Sequence, residues 1–236
     1  MCALRTSQIL MNNTEARDLH VLFHDGHLLA VNKPPGIAVQ KDRPGDRCLQ
    51  DLVQVLCPGV TVGSPHRLDR PVGGVTVFTL DTATLRGMDA LFREKKVAKT
   101  YLAIVEGLAP ENGMLMHRLK HAAGSRKSIA VQAEGEGEGT SVLKYARRSA
   151  GDRYSLLEVA PMGGAFHQIR AQLAAAGFPI KGDVKYGARR GERDRSIALH
   201  AWRMSFTHPI TGAGMTLEAP PPTTSIWPAM RSLWVP

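Results

Sequence analysis

The run His66-Arg67-Leu68-Asp69-Arg70-Pro71-Val72-Gly73-Gly74-Val75 sets one carboxylate among three cationic or potentially cationic side chains, directly before an apolar stretch. Cations at this spacing keep a carboxylate ionised, and an ionised carboxylate held in place is a nucleophile. The same residues also suit a surface ion pair worth about 0–1 kcal/mol, so the run takes its meaning from what accompanies it. Two further groupings carry chemistry. Lys99-Thr100-Tyr101 opens an apolar run, where Tyr101 offers a flat stacking face and a phenolic oxygen, or fills a core with its hydroxyl at the rim. Phe166-His167-Gln168-Ile169-Arg170 follows Gly163 and Gly164. There Arg170 stands at the margin of an apolar helix face, able to turn inward to a carboxylate or to extend to solvent.

Other chemistries find less support. His117 and His121 have the spacing of a helical metal-binding pair, but no glutamate completes an HExxH pattern. His20, His24 and His27 fall in expected strands, where four residues span ~13 Å, too far to share an ion. Cys2, Cys48 and Cys57 are odd in number and contain no CxxC, which argues against a disulfide framework and against a thiolate metal site. No GxxxxGK[ST] is present, so nucleotide hydrolysis has no motif. The alternation Glu134-Gly135-Glu136-Gly137-Glu138-Gly139 does not match GxGxxG and is expected to be a flexible surface loop. No metal and no nucleotide cofactor is expected. Glycoside cleavage usually needs two placed carboxylates, and a second is not evident.

The 236 residues carry 30 Lys and Arg against 21 Asp and Glu, a net charge of +9. Such a chain attracts polyanions with a strength that falls as salt rises, which makes nucleic acid the first candidate partner. Cations cluster at Arg93, Lys95, Lys96 and Lys99, at Arg118, Lys120, Arg126 and Lys127, at Arg147, Arg148 and Arg153, and between 181 and 195. No apolar run approaches the ~18 residues of a membrane helix, so a membrane partner is not expected and a reducing cytoplasm fits the cysteines. With 43% hydrophobic residues the chain can bury a core without staples.

These side chains need elements to position them. Residues 1–19 are polar and unpatterned and are expected to form a tail or an edge element, with 20–236 as the catalytic domain, one elongated body. Apolar runs at 21–23 and 28–31 around Asp25-Gly26 predict a β-hairpin. Leu49, Leu52, Val53 and Leu56 predict a helix stopped by Pro58-Gly59; Leu85, Met88, Leu91 and Phe92 predict another, capped by Thr82. Strands are expected at 75–80, 101–105, 128–131, 141–145, 154–159, 197–206 and 215–217. A third helix is expected from near Phe166 to Gly177, an extended segment at Pro220-Pro221-Pro222, and a return with Trp227 and Trp234 packed. The fold class is α+β, with a mixed, mostly antiparallel central sheet, flanking helices and a central active-site cleft.

Taken together, the motifs resemble the RluA-type family of pseudouridine synthases. The resemblance rests on Asn32-Lys33-Pro34-Pro35-Gly36, on His66 to Asp69, on Lys99-Thr100-Tyr101 and on His167 to Arg170, in this order. It extends to Pro179-Ile180-Lys181-Gly182-Asp183 with Tyr186-Gly187, and to Leu199-His200-Ala201 with 206–212, covering about residues 20 to 220. One short motif would be weak, whereas six in a fixed order are hard to reach by chance. The resemblance implies an isomerase that converts uridine to pseudouridine in structured tRNA or rRNA, as a monomer without cofactor. It implies Asp69 as nucleophile, Tyr101 stacking on the uracil, and Arg170 holding the carboxylate, with Lys33, His66, Arg67, His167 and Gln168 on the substrate side.

The chain departs from the family pattern at Val72-Gly73-Gly74 in place of Thr-Ser-Gly, at Ala165 in place of an arginine, and at Ala171-Gln172 in place of Val-His. None of these is a residue assigned to chemistry, but polar contacts around the pocket are removed. That motivates an alternative, an RNA-binding or assembly protein of low or no activity on the same fold.

Overall fold

The computed structural model describes residues 16–231 except 123, 125, 126, 134–136 and 138. Residues 1–15 of the expected tail at 1–19, most of the Glu-Gly loop, and Trp234 lie outside the described residues. The chain divides into two compact units, one of residues 1–97 with 203–219, the other of 98–202 with 220–236.

The first unit is built on antiparallel strands. β1 (His20–His24) pairs with β2 (Leu28–Lys33) through a turn in which Gly26 has φ +88°, a conformation glycine adopts without strain, while the Asp25 side chain accepts from the His27 and Leu28 amides. β2 pairs with β3 (Gly73–Thr79), Lys33 opposite Gly74. α1 (Leu49–Leu56) buries Leu49, Leu52 and Val53, and α2 (Thr82–Arg93) follows β3. Alternate β2 and β3 residues, Leu28, Ala30, Val75 and Val77, form a core with Met88 of α2 and with Met204, Phe206 and Leu217. β9 (Leu199–Thr207) supplies Met204 and Phe206, and β10 (Gly214–Glu218), paired with it, supplies Leu217.

The second unit holds β4 (Ala98–Glu106), β5 (Asn112–His121), β6 (Ser128–Gln132), β7 (Thr140–Ala150) and β8 (Tyr154–Pro161), in the spatial order β4-β8-β7-β5-β6. Each of these pairings is antiparallel. α3 (Gln168–Ala175) is stitched to the sheet by two glutamine amides, Gln168 to the Val142 carbonyl and Gln172 to those of Ser141 and Leu115. α4 (Trp227–Arg231) closes the described chain, with Trp227 and Met230 buried. Mostly antiparallel strands with a few helices are the expected class.

Three local expectations are corrected. Asp81, not Thr82, caps α2: its carboxylate accepts from the Thr84 amide and hydroxyl, which hold its pKa at about 2 with help from His27. The third helix begins at Gln168, because His167 sits at φ +55° and breaks the helix before it. His117 and His121, spaced as if for a helix, lie on β5, a strand the sequence reading omitted; Met, Leu, Arg and Lys favour helices, and no β-branched residue marks it.

Candidate active site

In the first unit, Asp69 stands half-buried on an irregular loop whose neighbours Leu68 and Val72 are buried anchors, and its carbonyl accepts from the Val72 amide. Lys33, 1% exposed, ties this loop down from beneath. Its Nζ donates to the carbonyls of Ile37 at 2.7 Å, Pro34 at 3.0 Å and Arg70 at 3.2 Å. Three acceptors match the three N–H bonds of an ammonium. The Arg70 carbonyl also takes the Gly36 amide at 2.7 Å, so the turn at 34–37 and the residue after Asp69 are bound together twice. Burial pulls the Lys33 pKa down to about 7, the Asp69 charge raises it, and Arg70 lowers it further. A cation and the candidate nucleophile are therefore electrostatically coupled within this unit.

His66 binds strand backbone. Its Nε2 accepts the Val77 amide at 2.9 Å and its ring stacks on Phe92 at 5.1 Å, which places the proton of a neutral ring on Nδ1. Arg67 keeps a 60% exposed side chain, 3.7 Å from Asp42, and Arg70 reaches the same carboxylate at 3.2 Å. Val72, one of the departures from the family pattern, is a buried apolar anchor, and Gly74 takes φ +117° where β3 begins.

In the second unit, Arg170 is buried and makes a two-pronged pair with Asp183, Nε to Oδ2 at 2.7 Å and NH2 to Oδ1 at 2.9 Å, with side chains 6% and 1% exposed. Its guanidinium also lies 5.0 Å from the Tyr186 ring centroid. Asp183 and Tyr186 lie in the Gly182-Asp183 and Tyr186-Gly187 motifs, but nothing local in the sequence marks either as a partner of Arg170. Gly182 supplies a local reason for that motif: at φ +89°, a Cβ there would lie 2.9 Å from the Ser196 carbonyl oxygen. His167, held in its left-handed conformation, stacks on Phe166 at 3.8 Å and meets the Tyr186 hydroxyl through Nδ1 at 2.8 Å.

Tyr101 lies half-buried on β4 opposite Val159. Two residues earlier, and so on the same face of the strand, Lys99 donates to the Gly163 carbonyl at 2.7 Å, and burial lowers its pKa. The glycine loop before α3 is thus held by a half-buried lysine. Gln168 serves the same loop, accepting the Ala165 amide at 3.3 Å. Gln172, where the family pattern has histidine, is buried among backbone carbonyls and His117. The eight residues singled out in the sequence therefore divide evenly: Lys33, His66, Arg67 and Asp69 in the first unit, Tyr101, His167, Gln168 and Arg170 in the second.

No helix among the described residues is long and apolar enough to cross a membrane. Within them no group of three His, Cys, Asp or Glu side chains is placed to hold a metal ion.

Comparison with known proteins bears on the same residues. The family model described as RNA pseudouridylate synthase matches residues 27–175, a span that contains all eight. The tRNA pseudouridine synthase C of Vibrio parahaemolyticus is 33% identical over 221 residues, 86% of this chain and 90% of that protein. The Uncharacterized RNA pseudouridine synthase YhcT of Bacillus subtilis is 33% identical over 214 residues, 88% of this chain and 70% of that one. Among solved structures, Human RNA Pseudouridylate Synthase Domain Containing 1 shares the fold at a TM-score of 0.74 and 24% identity, over 93% of this chain and 89% of that one. Human RNA Pseudouridylate Synthase Domain Containing 4 does so at 0.72 and 23%, over 91% and 94%. The motif order, the fold and these matches agree, and the chain belongs to the RNA pseudouridylate synthase family, RluA-type, an isomerase of uridine in RNA.

Proposed function

We propose that this isomerase acts on a uridine of structured tRNA, with Asp69 as its nucleophile. The tRNA reading rests on relatives named tRNA pseudouridine synthase C, at 32–33% identity across most of both chains. The observation that carries the nucleophile is the loop itself: a half-buried carboxylate between two buried anchors, its backbone fixed through the Arg70 carbonyl by Lys33 and Gly36. A carboxylate nucleophile carries its own negative charge, so no activating base is assigned. Asp69 attacks the uracil at carbon 6 or the ribose at its anomeric carbon; the base detaches, turns and rejoins through carbon 5, losing one proton there.

Tyr101 takes the stacking role on the uracil, since a phenol of unperturbed pKa ~10 is a poor base unaided. Arg170 is the cation assigned to the nucleophile by the family resemblance, its own geometry set by Asp183. Taking a uridine out of a folded RNA costs a few kcal/mol. Arg67, exposed and planar-headed, is the side chain proposed to occupy the vacated stack. His167 and Gln168 shape the substrate side of the loop before α3. Lys33 serves the substrate indirectly, through the loop it anchors. Residues 20–236 form the catalytic body, working as a monomer in the cytoplasm.

Incubation with bulk tRNA tritiated at uracil carbon 5 tests this reading, because isomerisation releases that tritium to water. Release is expected. Tight binding without release would favour the assembly-protein alternative, and free uracil among the products would indicate base excision.

A further inference from the structure

The β5–β6 hairpin carries a feature that the isomerisation roles leave unused. Between residues 112 and 133 there is no Asp or Glu, while Arg118, Lys120, Arg126 and Lys127 supply four cations. Acidic residues return at Glu134, beyond the β6 end opposite His117. That end lies four residues, ~13 Å of strand, from the His121–Ser128 pair nearest the tip. Lys120 and Lys127 flank the His121–Ser128 pair in sequence, so cations stand beside the tip.

At that tip a column of rings begins. The exposed His121 ring lies on Phe166 at 5.1 Å and 24°, Phe166 lies on His167 at 3.8 Å and 19°, and Tyr186 meets His167 edge-on at 5.5 Å. Hydrogen bonds hold the column rigid from behind. Ser128 donates its hydroxyl to the Phe166 carbonyl at 2.5 Å and its amide to the Tyr186 hydroxyl at 2.8 Å. Lys127 lies 5.9 Å from the Tyr186 centroid. Aromatic residues make up only 6% of the chain, so a stacked column ending on an exposed ring at a carboxylate-free tip is not a by-product of composition.

We infer that this tip is a single-stranded RNA shelf, distinct in role from the nucleophile loop: an unpaired base of the substrate stacks on the outer face of His121, and the neighbouring lysines take its flanking phosphates. A ring held in register loses little freedom when a base adds to it, and base stacking is sequence-tolerant. The shelf would grip RNA whatever its sequence. It needs no turnover, so its failure and a failure of the nucleophile assignment are separable.

The test uses the full chain with isotope-labelled histidine, titrated with pentauridylate, a short unpaired RNA, and with pentaglutamate as an anionic control. The His121 ring signals, identified by their loss in His121→Gln, are expected to move upfield with the RNA and stay in place with the peptide. His121→Ala should weaken pentauridylate binding at least about fivefold, and His121→Trp should restore it, which a merely structural histidine would not allow. Lys127→Gln should lower the slope of log affinity against log salt by about 0.7. Unmoved His121 signals, a response to pentaglutamate alone, or failure of the tryptophan to rescue would overturn the shelf.

Discussion

The nucleophile loop of the first unit and the α3 entrance of the second are both polar and both partly buried, but they spend their charges differently. Around Asp69, the cation Lys33 and the ring of His66 bind backbone: three carbonyls for one, an amide for the other. At the α3 entrance Lys99 and Gln168 also bind backbone, but Arg170 itself is held by side chains, its guanidinium by Asp183, with His167 on Tyr186 beside it. A loop fixed through its backbone can display a carboxylate without consuming it. A side-chain network instead fixes the direction of a cation, at the cost of making each member depend on the others.

The comparison breaks first at Asp183. Removing one partner of a buried pair leaves the other charge uncompensated, so Asp183→Ala should lower the unfolding free energy by about 3–5 kcal/mol, read by urea denaturation. A loss below about 1 kcal/mol would mean that Arg170 does not rely on that carboxylate.

Lys33 sharpens the other side, through pH. Its ammonium is held at about 7 in the fold against an ordinary value of 10.5. Below pH 7 both states carry the proton and the burial penalty is present in full. Between 7 and 10.5 the unfolded chain binds a proton that the fold has shed, so this group makes stability rise with pH across that window. Lys33→Met should flatten the rise by at most about 1.4 kcal/mol per pH unit. An unchanged slope from pH 7 to 10 would place the lysine's proton elsewhere.

The smallest expected effect on stability belongs to Arg67. Its exposed contact with Asp42 is worth about 0–1 kcal/mol, so Arg67→Ala should unfold within about 0.5 kcal/mol of the parent. Turnover on folded RNA should nevertheless drop, with a lesser loss on an unpaired oligonucleotide. Equal losses on both would contradict a role in opening the stack.

Much of this was legible in the sequence where period and motif coincide. The β1–β2 hairpin is announced by Asp25-Gly26 between apolar runs, and α1 by Leu49, Leu52, Val53 and Leu56. The residues that support the site were less legible, because their task is set by backbone far away in sequence. Lys33 binds the carbonyl of Arg70, Lys99 that of Gly163, and Asp183 reaches Arg170 from beyond the helix. Nothing local in a lysine announces a carbonyl cage. β5 stays hidden because its Met, Leu, Arg and Lys residues favour helices and its Met114-Leu115-Met116 run breaks the two-residue alternation of a strand. Asp81 and Thr82 are adjacent capping residue types, and the stronger cap, Asp81, is the one the helix uses.

The central claim is that Asp69 is the nucleophile, displayed by a loop that Lys33 and Gly36 fix through its backbone. Its most direct test measures tritium release from uracil carbon 5 of tRNA by Asp69→Asn beside the affinity of the same variant for that RNA. Release should vanish while affinity stays within a few-fold, since binding rests mainly on phosphate contacts. Sustained release by the asparagine variant would contradict the claim.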